Sequence, residues 1–339
     1  MNNILITGFT GFIGSNLTKS LRENNLTGIS LREGNSINKN INWPDLENIN
    51  TIDCIIHLAG KAHDLKKTTS NQEYFDINVG LTKQIFELFL KSSASKFIFF
   101  SSVKAVADKV TGAFLTEDSV SNPQTPYGKS KLEAEKYILE QPLPPGKQIY
   151  ILRPCMVHGP GNKGNLNLLH QVVSKYIPWP LGSFENKRSF CSIDNLCFII
   201  KELVDRNDIP SGIYNIADDD PISTNELIKL ISVSQNRRSL ILHLPKKLIK
   251  WVAKLGDLCK LPLNSERLQK LTENYIVSND KIKKAIGKPL PVNARDGLLK
   301  TFQSFNNSPI VISKVLEIPK KGEKLMGKDS KGTLTIIPH

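Results

Sequence analysis

An apolar run followed by three regularly spaced glycines constrains this 339-residue chain more than any other stretch. Residues 3–7 predict a buried strand, and residues 15–21 have the spacing of a helix. Between them, Gly8 permits a tight turn, Gly11 lets backbone approach a pyrophosphate, and Gly14 lets the helix pack against the strand. The N–H groups at the helix start favour phosphate. The unit therefore predicts a dinucleotide-binding loop, which consists of Gly8, Gly11, Phe12, Ile13 and Gly14.

The second predicted strand, residues 27–31, should end where the adenosine ribose of the dinucleotide lies. Arg32 follows this strand, and a guanidinium binds a ribose 2′-phosphate through charge-assisted hydrogen bonds. Glu33 stands beside it and leaves the choice of cofactor open. The sequence thus favours NADP(H), with Arg32 as a ligand, and keeps NAD(H) as the alternative.

Two more buried strands are predicted at residues 53–60 and 95–102. The first ends in the small residues Ala59 and Gly60, over which a cofactor can pass closely. Ser102 stands at the end of the second, where a hydroxyl can hold a reacting oxygen.

A helix is predicted from about residue 72 to residue 91, and Asn78 falls on its packed side. A buried amide needs hydrogen-bond partners. We interpret Asn78 as a brace for a neighbouring strand.

Tyr127 and Lys131 are four residues apart, so on a helix they lie on one face, one turn from each other. Pro126 suits the first position of that helix. A lysine ammonium stabilises a phenolate and should lower the pKa of the tyrosine, which would let the phenol exchange a proton with a hydroxyl or ketone.

Composition bounds the possible partners. The net charge of +13 could attract nucleic acid, but no nucleic-acid-binding motif is present and the lysines are scattered, so an anionic small substrate is the expected partner. No apolar run is long enough for a transmembrane segment. Five cysteines without a CxxC pair predict reduced, mostly buried thiols in a cytoplasm, with no metal site.

Five motifs carry a family resemblance. They are Thr7-Gly-x-x-Gly-x-x-Gly14, His57-Leu-Ala-Gly60, Ser101-Ser102, Tyr127-Gly-Lys-Ser-Lys131 and Leu152-Arg-Pro-x-x-Val-x-Gly-Pro160. Together they resemble the extended short-chain dehydrogenase/reductase family, which includes nucleotide-sugar epimerases, dehydratases and ketoreductases. The resemblance runs from residue 3 to about residue 300. It implies an α/β fold, with a Rossmann-type doubly wound parallel sheet and a smaller C-terminal α/β domain that closes on a UDP-sugar.

The resemblance also implies the roles of the site residues. Tyr127 is the acid-base group, Lys131 holds the nicotinamide ribose, and Ser102 orients the sugar hydroxyl. The implied cofactor-binding residues outside the glycine loop are Leu58, Ala59, Gly60, Asn78, Tyr127, Lys131 and Pro154.

The chain departs from the family's dehydratases. They carry an Asp-Glu pair after the serine to eliminate water, whereas Val103 and Lys104 follow Ser102 here. Dehydratase activity is therefore disfavoured. The family often has a tyrosine at the position of His158, a change that should matter little for the chemistry.

The chain looks most similar to bacterial enzymes of surface-polysaccharide synthesis that act at C4 of UDP-N-acetylhexosamines. The implied substrate-binding residues are Lys104, Asn165, Arg188 and Arg267, with the two arginines gripping diphosphate oxygens. Reduction of a UDP-4-keto-6-deoxy-N-acetylhexosamine is the first expectation, because Arg32 suits an exchangeable NADPH. A UDP-glucose or UDP-N-acetylglucosamine 4-epimerase with tightly bound NAD is the alternative, and a non-catalytic NAD(P)-binding sensor is a remote one.

The expected NAD(P)-binding domain covers residues 1–164, with 189–216 returning to it. The expected substrate domain covers 165–188 and 217–306, and residues 307–339 form a basic tail of unknown role with possible strands at 310–312 and 333–337. A homodimer is expected from the family resemblance.

Residues 245–255 predict a helix that has Lys246, Lys250 and Lys254 on one face and Leu248, Val252 and Leu255 on another. We expect the apolar side of this helix to pack on the domain and its lysines to face solvent. Peripheral contact with an anionic membrane is the alternative.

Overall fold

The computed structural model describes residues 1–29, 51–61, 70–162, 164–259 and 264–306, together with the backbone of three two-residue strands. Arg32, Glu33 and the strand predicted at 310–312 lie outside these residues. Residues 1–306 form one compact unit, and residues 307–339 form a second.

A parallel sheet is the centre of the first unit. Its strands, in chain order, are β1 (Asn3–Thr7), β2 (Asn25–Ile29), β3 (Lys39–Asn40), β4 (Cys54–His57), β5 (Lys96–Phe100), β6 (Gln148–Pro154) and a late strand, Gly212–Ile216. The late strand pairs with β6, and the spatial order is β3-β2-β1-β4-β5-β6 followed by the late strand. The described strands of this sheet are parallel throughout. This is the predicted doubly wound α/β fold.

Helices cover both faces of this sheet. The helices of this part are α1 (Phe12–Ser20), α2 (Asn71–Phe75), α3 (Leu81–Lys91), α4 (Pro126–Glu140) and α6 (Ile193–Asp205), whereas α5 (Asn165–Ser174) belongs to an apolar cluster around Phe302. Leu17 of α1 and Leu196 of α6 belong to the apolar core on one face. Phe86 of α3 and Ile138 of α4 belong to the core on the other.

The helix predicted from 72 to 91 is interrupted. A π-helical segment, Asp76–Gly80, separates α2 from α3. The predicted strand at 53–60 ends at His57, because Leu58 to Gly60 turn across the carboxyl end of the sheet.

Within the described residues, the rest of the first unit adds a strand pair and, besides α5, five helices. The strands are β7 (Met156–His158) and β8 (Phe190–Ser192), and the late strand of the large sheet is β9. The helices are α7 (Thr224–Ser234), α8 (Lys246–Cys259), α9 (Ser265–Thr272), α10 (Asp280–Ile286) and α11 (Ala294–Asn306). Two apolar clusters hold this region, one around Phe302 and one around Trp179.

Within the second unit, β10 (Gly327–Lys328) pairs antiparallel with β11 (Leu334–Thr335). The latter lies inside the predicted strand at 333–337. The five cysteines carry free thiols, and four of them are buried, as predicted. Within the described ranges, no helix is both long and apolar enough to cross a bilayer.

Candidate active site

The glycine loop connects the end of β1 to the start of α1. Gly8 has a φ of 72°, and a Cβ on Gly14 would lie 2.4 Å from the Phe9 Cα. Neither position accepts a side chain without a shift of backbone. Gly11 caps α1 without a side-chain hydrogen bond, and the first turn of α1 contains no acidic residue. Its N–H groups and the positive end of the helix dipole are therefore suited to an anion.

The glycine loop forms one wall of a crevice at the carboxyl end of the sheet. The segment after β4, on the other side of β1, forms the second wall. The chain reverses its direction of winding between β1 and β4, which is the switch point where open α/β sheets bind ligands. The Leu58 N–H donates to the Thr7 carbonyl over 3.2 Å, and the Ala59 N–H donates to Thr7 Oγ1 over 3.1 Å. A Cβ on Gly8 would lie 2.8 Å from the Ala59 nitrogen. The glycine loop and the segment after β4, both predicted to bind the cofactor, are thus in close backbone contact.

Gly60 brings two other predicted residues to this wall. A Cβ on Gly60 would lie 2.8 Å from Asn78 Oδ1 and 3.3 Å from Lys131 Nζ. Three predicted cofactor-binding residues from separate segments of the chain therefore meet at one point.

Asn78 is fully buried in the π-helical segment and uses both ends of its amide. Its Oδ1 accepts from the Lys61 N–H over 2.7 Å, and its Nδ2 donates to the Lys61 carbonyl over 3.2 Å and to Ser130 Oγ over 3.0 Å. The amide thus links the segment after β4 to α4, which agrees with its predicted role as a brace.

The proton-transfer candidates lie at the start of α4. Thr125 caps the helix by accepting from the Gly128 N–H, and Pro126 occupies the first turn. Tyr127 and Lys131 therefore share the helix face that their spacing predicts. The side chains of Tyr127 and Ser102 are hydrogen-bonded, and the Tyr127 ring meets the Tyr74 ring edge-on at 6.2 Å between centroids.

Burial changes the electrostatics of this pair. Burial raises the pKa of Tyr127 above its usual value of 10, and the hydrogen bond with Ser102 opposes the rise. Burial also lowers the pKa of Lys131 to about 8, although Glu135 opposes this shift. The predicted lowering of the tyrosine pKa is therefore wrong for the protein without cofactor, because desolvation by burial has the largest effect on Tyr127. Lys131 Nζ instead donates to the Phe100 carbonyl over 2.8 Å.

A buried ion pair next to these residues was not predicted. Arg153 donates from Nη2 to Glu135 Oε2 over 2.6 Å, and Ser101 Oγ donates to the same carboxylate. The pair joins α4 to the ends of β5 and β6. Only the position of Glu135, four residues after Lys131, could have suggested it.

A buried histidine between β1 and α3 was also missed as a structural group. His57 Nδ1 lies 2.7 Å from Thr7 Oγ1, and its Nε2 lies 2.9 Å from Thr82 Oγ1. Burial, with a smaller effect of Lys131, lowers the pKa of His57 to about 3. A neutral imidazole thus fixes the edge of the crevice.

The remaining predicted cofactor and substrate residues differ in exposure. Phe12 and Ile13 are partly buried and pack against the core beside the glycine loop. Pro154 is the buried last residue of β6. Asn165 is the exposed first residue of α5, and Arg267 is exposed on α9.

Lys104 and Arg188 lie around Tyr275, next to the Ser102 loop. Lys104 Nζ is 4.3 Å from the centroid of the Tyr275 ring and donates to the Asp108 carbonyl over 3.0 Å. The Tyr275 hydroxyl lies 2.7 Å from the carbonyl oxygen of Ala107 and 3.3 Å from that of Val103. Arg188 Nη1 donates to the Lys270 carbonyl of α9 over 2.7 Å. Burial lowers the pKa of Lys104, and the charge of Arg188 adds to that effect.

His158 is fully buried, and both of its ring nitrogens lie near polar side-chain atoms. Its Nδ1 lies 2.9 Å from Thr301 Oγ1, and its Nε2 lies 3.4 Å from Asp218 Oδ2. These contacts tie β7 to α11, which gives the residue a structural task.

Comparison with known proteins shows which family has this sequence and fold. Residues 4–217 match the model of the NAD dependent epimerase/dehydratase family. The chain belongs to this family. The predictions of an enzyme and of a nicotinamide dinucleotide cofactor are thereby confirmed.

Two curated relatives and one solved structure illustrate the similarity. The UDP-glucose 4-epimerase of Vibrio cholerae is 31% identical over 319 residues, which cover 89% of this chain and 95% of that protein. The N-acetyl-alpha-D-glucosaminyl-diphospho-ditrans,octacis-undecaprenol 4-epimerase of Escherichia coli O157:H7 is 26% identical over 305 residues, which cover 84% and 85%. The UDP-glucuronic acid 4-epimerase of Bacillus cereus in complex with NAD has the same fold. Its TM-score is 0.68 at 19% identity, with 90% of this chain and 99% of that chain covered.

The crevice fits the cofactor of this family. The closed contacts at Gly8 and Gly14 leave backbone at the surface of the loop, and the uncapped start of α1 offers N–H groups to a pyrophosphate. Lys131 Nζ lies beside Gly60 on the wall of the same crevice.

Proposed function

We propose that this protein interconverts the two configurations at C4 of a UDP-hexose or UDP-N-acetylhexosamine. The observation that carries the proposal is the hydrogen-bonded pair of Tyr127 and Ser102, with Lys131 one helical turn away beside Gly60. Similarity to proteins named 4-epimerases over most of the chain supports it.

Each residue has one task in this proposal. Tyr127 takes the proton of the C4 hydroxyl and later returns it, while Ser102 hydrogen-bonds the same oxygen. Lys131 holds ribose hydroxyls and stabilises the phenolate by its charge. A bound nicotinamide supplies the chemistry that these side chains lack, the acceptance and return of a hydride.

The residues after Ser102 limit the reaction. Val103 is apolar, and Lys104 cannot act as a carboxylate base. Neither residue assists the elimination of water, which separates this chain from dehydratases. Lys104 and Arg188 bring positive charge to the sugar-diphosphate side instead.

Reduction of a UDP-4-keto-6-deoxy-N-acetylhexosamine is the second candidate. It uses the same three residues, with Tyr127 donating its proton to the forming alkoxide. Arg32 favours it, because a reductase consumes exchangeable cofactor and an arginine at this strand end suits NADPH. An epimerase regenerates its cofactor in each turnover and gains by retaining it.

The carrier of the sugar offers a further choice. The E. coli O157:H7 relative is named for a sugar on a polyprenol diphosphate, and the diphosphate is the group that this carrier shares with UDP. A polyprenol-linked N-acetylhexosamine is therefore the second substrate class to test.

The nucleotide in freshly purified protein distinguishes the candidates. The protein is denatured, and the released nucleotide is identified by mass spectrometry. Near-stoichiometric NAD⁺, together with C4 epimers formed from UDP-glucose or UDP-N-acetylglucosamine, is the expected result. An empty site that prefers NADPH to NADH would favour the reductase. Failure to bind either cofactor would overturn both.

A further inference from the structure

Helix α8 exposes an apolar stripe. Leu248, Trp251, Leu255 and Leu258 follow one another at spacings of three and four residues, so they share one side of the helix. Their exposed fractions are 46%, 59%, 38% and 82%. The prediction that the apolar side of this helix packs on the domain is therefore only half right.

The opposite side of α8 is fixed to the protein. Ile249 and Ala253 are buried in a cluster with Trp179, Leu181 and Leu268. Asp257 accepts from the backbone N–H of Ser265 over 2.9 Å, which attaches the end of α8 to the start of α9. The stripe thus belongs to a docked helix that has apolar residues on two sides.

Basic residues are concentrated on α8 and in the segment that precedes it. Between residues 236 and 258 the sequence contains six basic residues and one acidic residue, Asp257. The basic residues are Arg237, Arg238, Lys246, Lys247, Lys250 and Lys254. On the helix, Lys247 and Lys254 border the stripe, where long side chains can keep their ammonium groups in a polar layer while the apolar residues are immersed.

We propose that α8 docks on the surface of an anionic lipid bilayer, with its axis in the plane of the membrane and its apolar stripe among the acyl chains. Leucine and tryptophan on one side and lysine at the border make the composition of an interfacial helix. This inference goes beyond the proposed function and does not depend on it.

The size of the stripe favours a membrane over a second protein chain. A helix of 14 residues is about 21 Å long and about 10 Å wide, so its exposed face covers roughly 200 Å². A stable protein interface needs about 800 Å² per partner. A bilayer has no such minimum, because insertion and charge attraction add along a short helix.

The docked surface adjoins the predicted diphosphate side of the active site. Helix α8 packs against α9, whose Lys270 carbonyl accepts from Arg188. Arg188 in turn lies beside Tyr275 and the loop after Ser102. Docking would therefore bring the substrate-binding side of the protein close to the membrane.

Vesicle binding tests the proposal. The full-length protein is mixed with vesicles of phosphatidylcholine alone or with 30% phosphatidylglycerol, and binding is measured by flotation. Emission of Trp251 should shift to shorter wavelength on anionic vesicles, and Trp251→Phe should bind while losing that shift. A triple variant, Lys247→Gln, Lys250→Gln and Lys254→Gln, should bind anionic vesicles on the order of 10²-fold more weakly.

A matched pair of variants separates the stripe from general surface apolarity. Leu248→Ser with Leu258→Ser should abolish flotation, whereas Leu139→Ser with Leu168→Ser, at residues exposed to 54% and 58%, should leave it unchanged. Equal flotation of the two double variants would overturn the proposal. The proposal would also be overturned if the parent protein did not bind vesicles and the α8 variants changed from dimer to monomer. The stripe would then face a second copy of the chain.

The test is independent of catalysis. The α8 variants should retain activity on water-soluble UDP-sugars, and Tyr127→Phe should lose that activity while still binding vesicles. Failure of vesicle binding therefore leaves the proposed reaction in place, and failure of the reaction leaves the membrane surface in place.

Discussion

Glu135 and Arg153 form a buried ion pair in which the guanidinium contacts both carboxylate oxygens, with Nε 3.0 Å from Oε1 and Nη2 2.6 Å from Oε2. Glu135 is on the helix that carries Tyr127 and Lys131, and Arg153 directly precedes Pro154. The pair therefore links the helix of Tyr127 and Lys131 to the strand end at Pro154.

Removing one partner of this pair should destabilise the fold strongly. Glu135→Gln leaves the Arg153 charge buried without its counter-ion, and we expect the free energy of unfolding to fall by about 3–5 kcal/mol. Urea unfolding measures the change. Lys201→Gln is the control, because it breaks the exposed Lys201–Asp205 pair and should cost less than about 1 kcal/mol. Similar losses for both variants would mean that the buried pair contributes no more than a surface contact.

Tyr127→Phe should reduce kcat by on the order of 10²-fold or more, because the phenol that exchanges the proton is removed while the ring is kept. Cofactor content and thermal stability should stay close to those of the parent protein. Tyr74→Phe provides the control, since the two tyrosine rings are in contact and only Tyr127 is assigned to proton transfer. Unchanged turnover in Tyr127→Phe would support the non-catalytic alternative.

The stability of the protein without cofactor should depend on the charge of Lys131. Its pKa is about 8 in the folded protein, against 10.5 ordinarily. Between these values the unfolded chain binds a proton that the folded protein lacks, so the free energy of unfolding rises with pH. Lys131→Met removes this dependence. From about pH 7.5 to about pH 9.5, wild type should gain about 2 kcal/mol relative to the variant. A difference that does not change with pH would show that folded Lys131 titrates normally.

Gly14→Ala should damage the cofactor site. The new methyl group would lie 2.5 Å from the Gly8 carbonyl oxygen, so the loop must shift, and such overpacking costs about 1–3 kcal/mol. Titration with NADH and NADPH should show at least about tenfold weaker binding. Gly80→Ala is the control, because nothing lies within 4 Å of its added Cβ, and it should raise stability by about 0.5 kcal/mol. Equal binding by both variants would contradict the assigned role of the loop.

Local patterns predicted much of the fold and of the crevice. The strand, glycine loop and helix at the N-terminus needed only the order of residues 3–21, and the shared face of Tyr127 and Lys131 needed only their spacing. Gly60, Asn78 and Lys131 lie in separate segments of the sequence, and the structure brings them together.

What the sequence missed depends on long-range packing. The Arg153–Glu135 pair and the contacts of His57 join residues far apart in the chain, and no local period encodes them. The break at Asp76–Gly80 has no proline to announce it. The pKa of Tyr127 rises because of burial, which cannot be inferred from helical spacing. The exposure of Leu248 and Trp251 depends on which side of α8 packs against Trp179.

The hydrogen bonds from Tyr275 to the loop after Ser102 affect the order in which the chain can fold during its translation. They join residues 172 positions apart, at Val103 and Tyr275. During translation the parallel sheet and its glycine loop can form once β9 has left the ribosome, while the loop after Ser102 still lacks its hydrogen bonds to Tyr275. The nascent chain would therefore acquire a nucleotide site before the proposed sugar site is ordered.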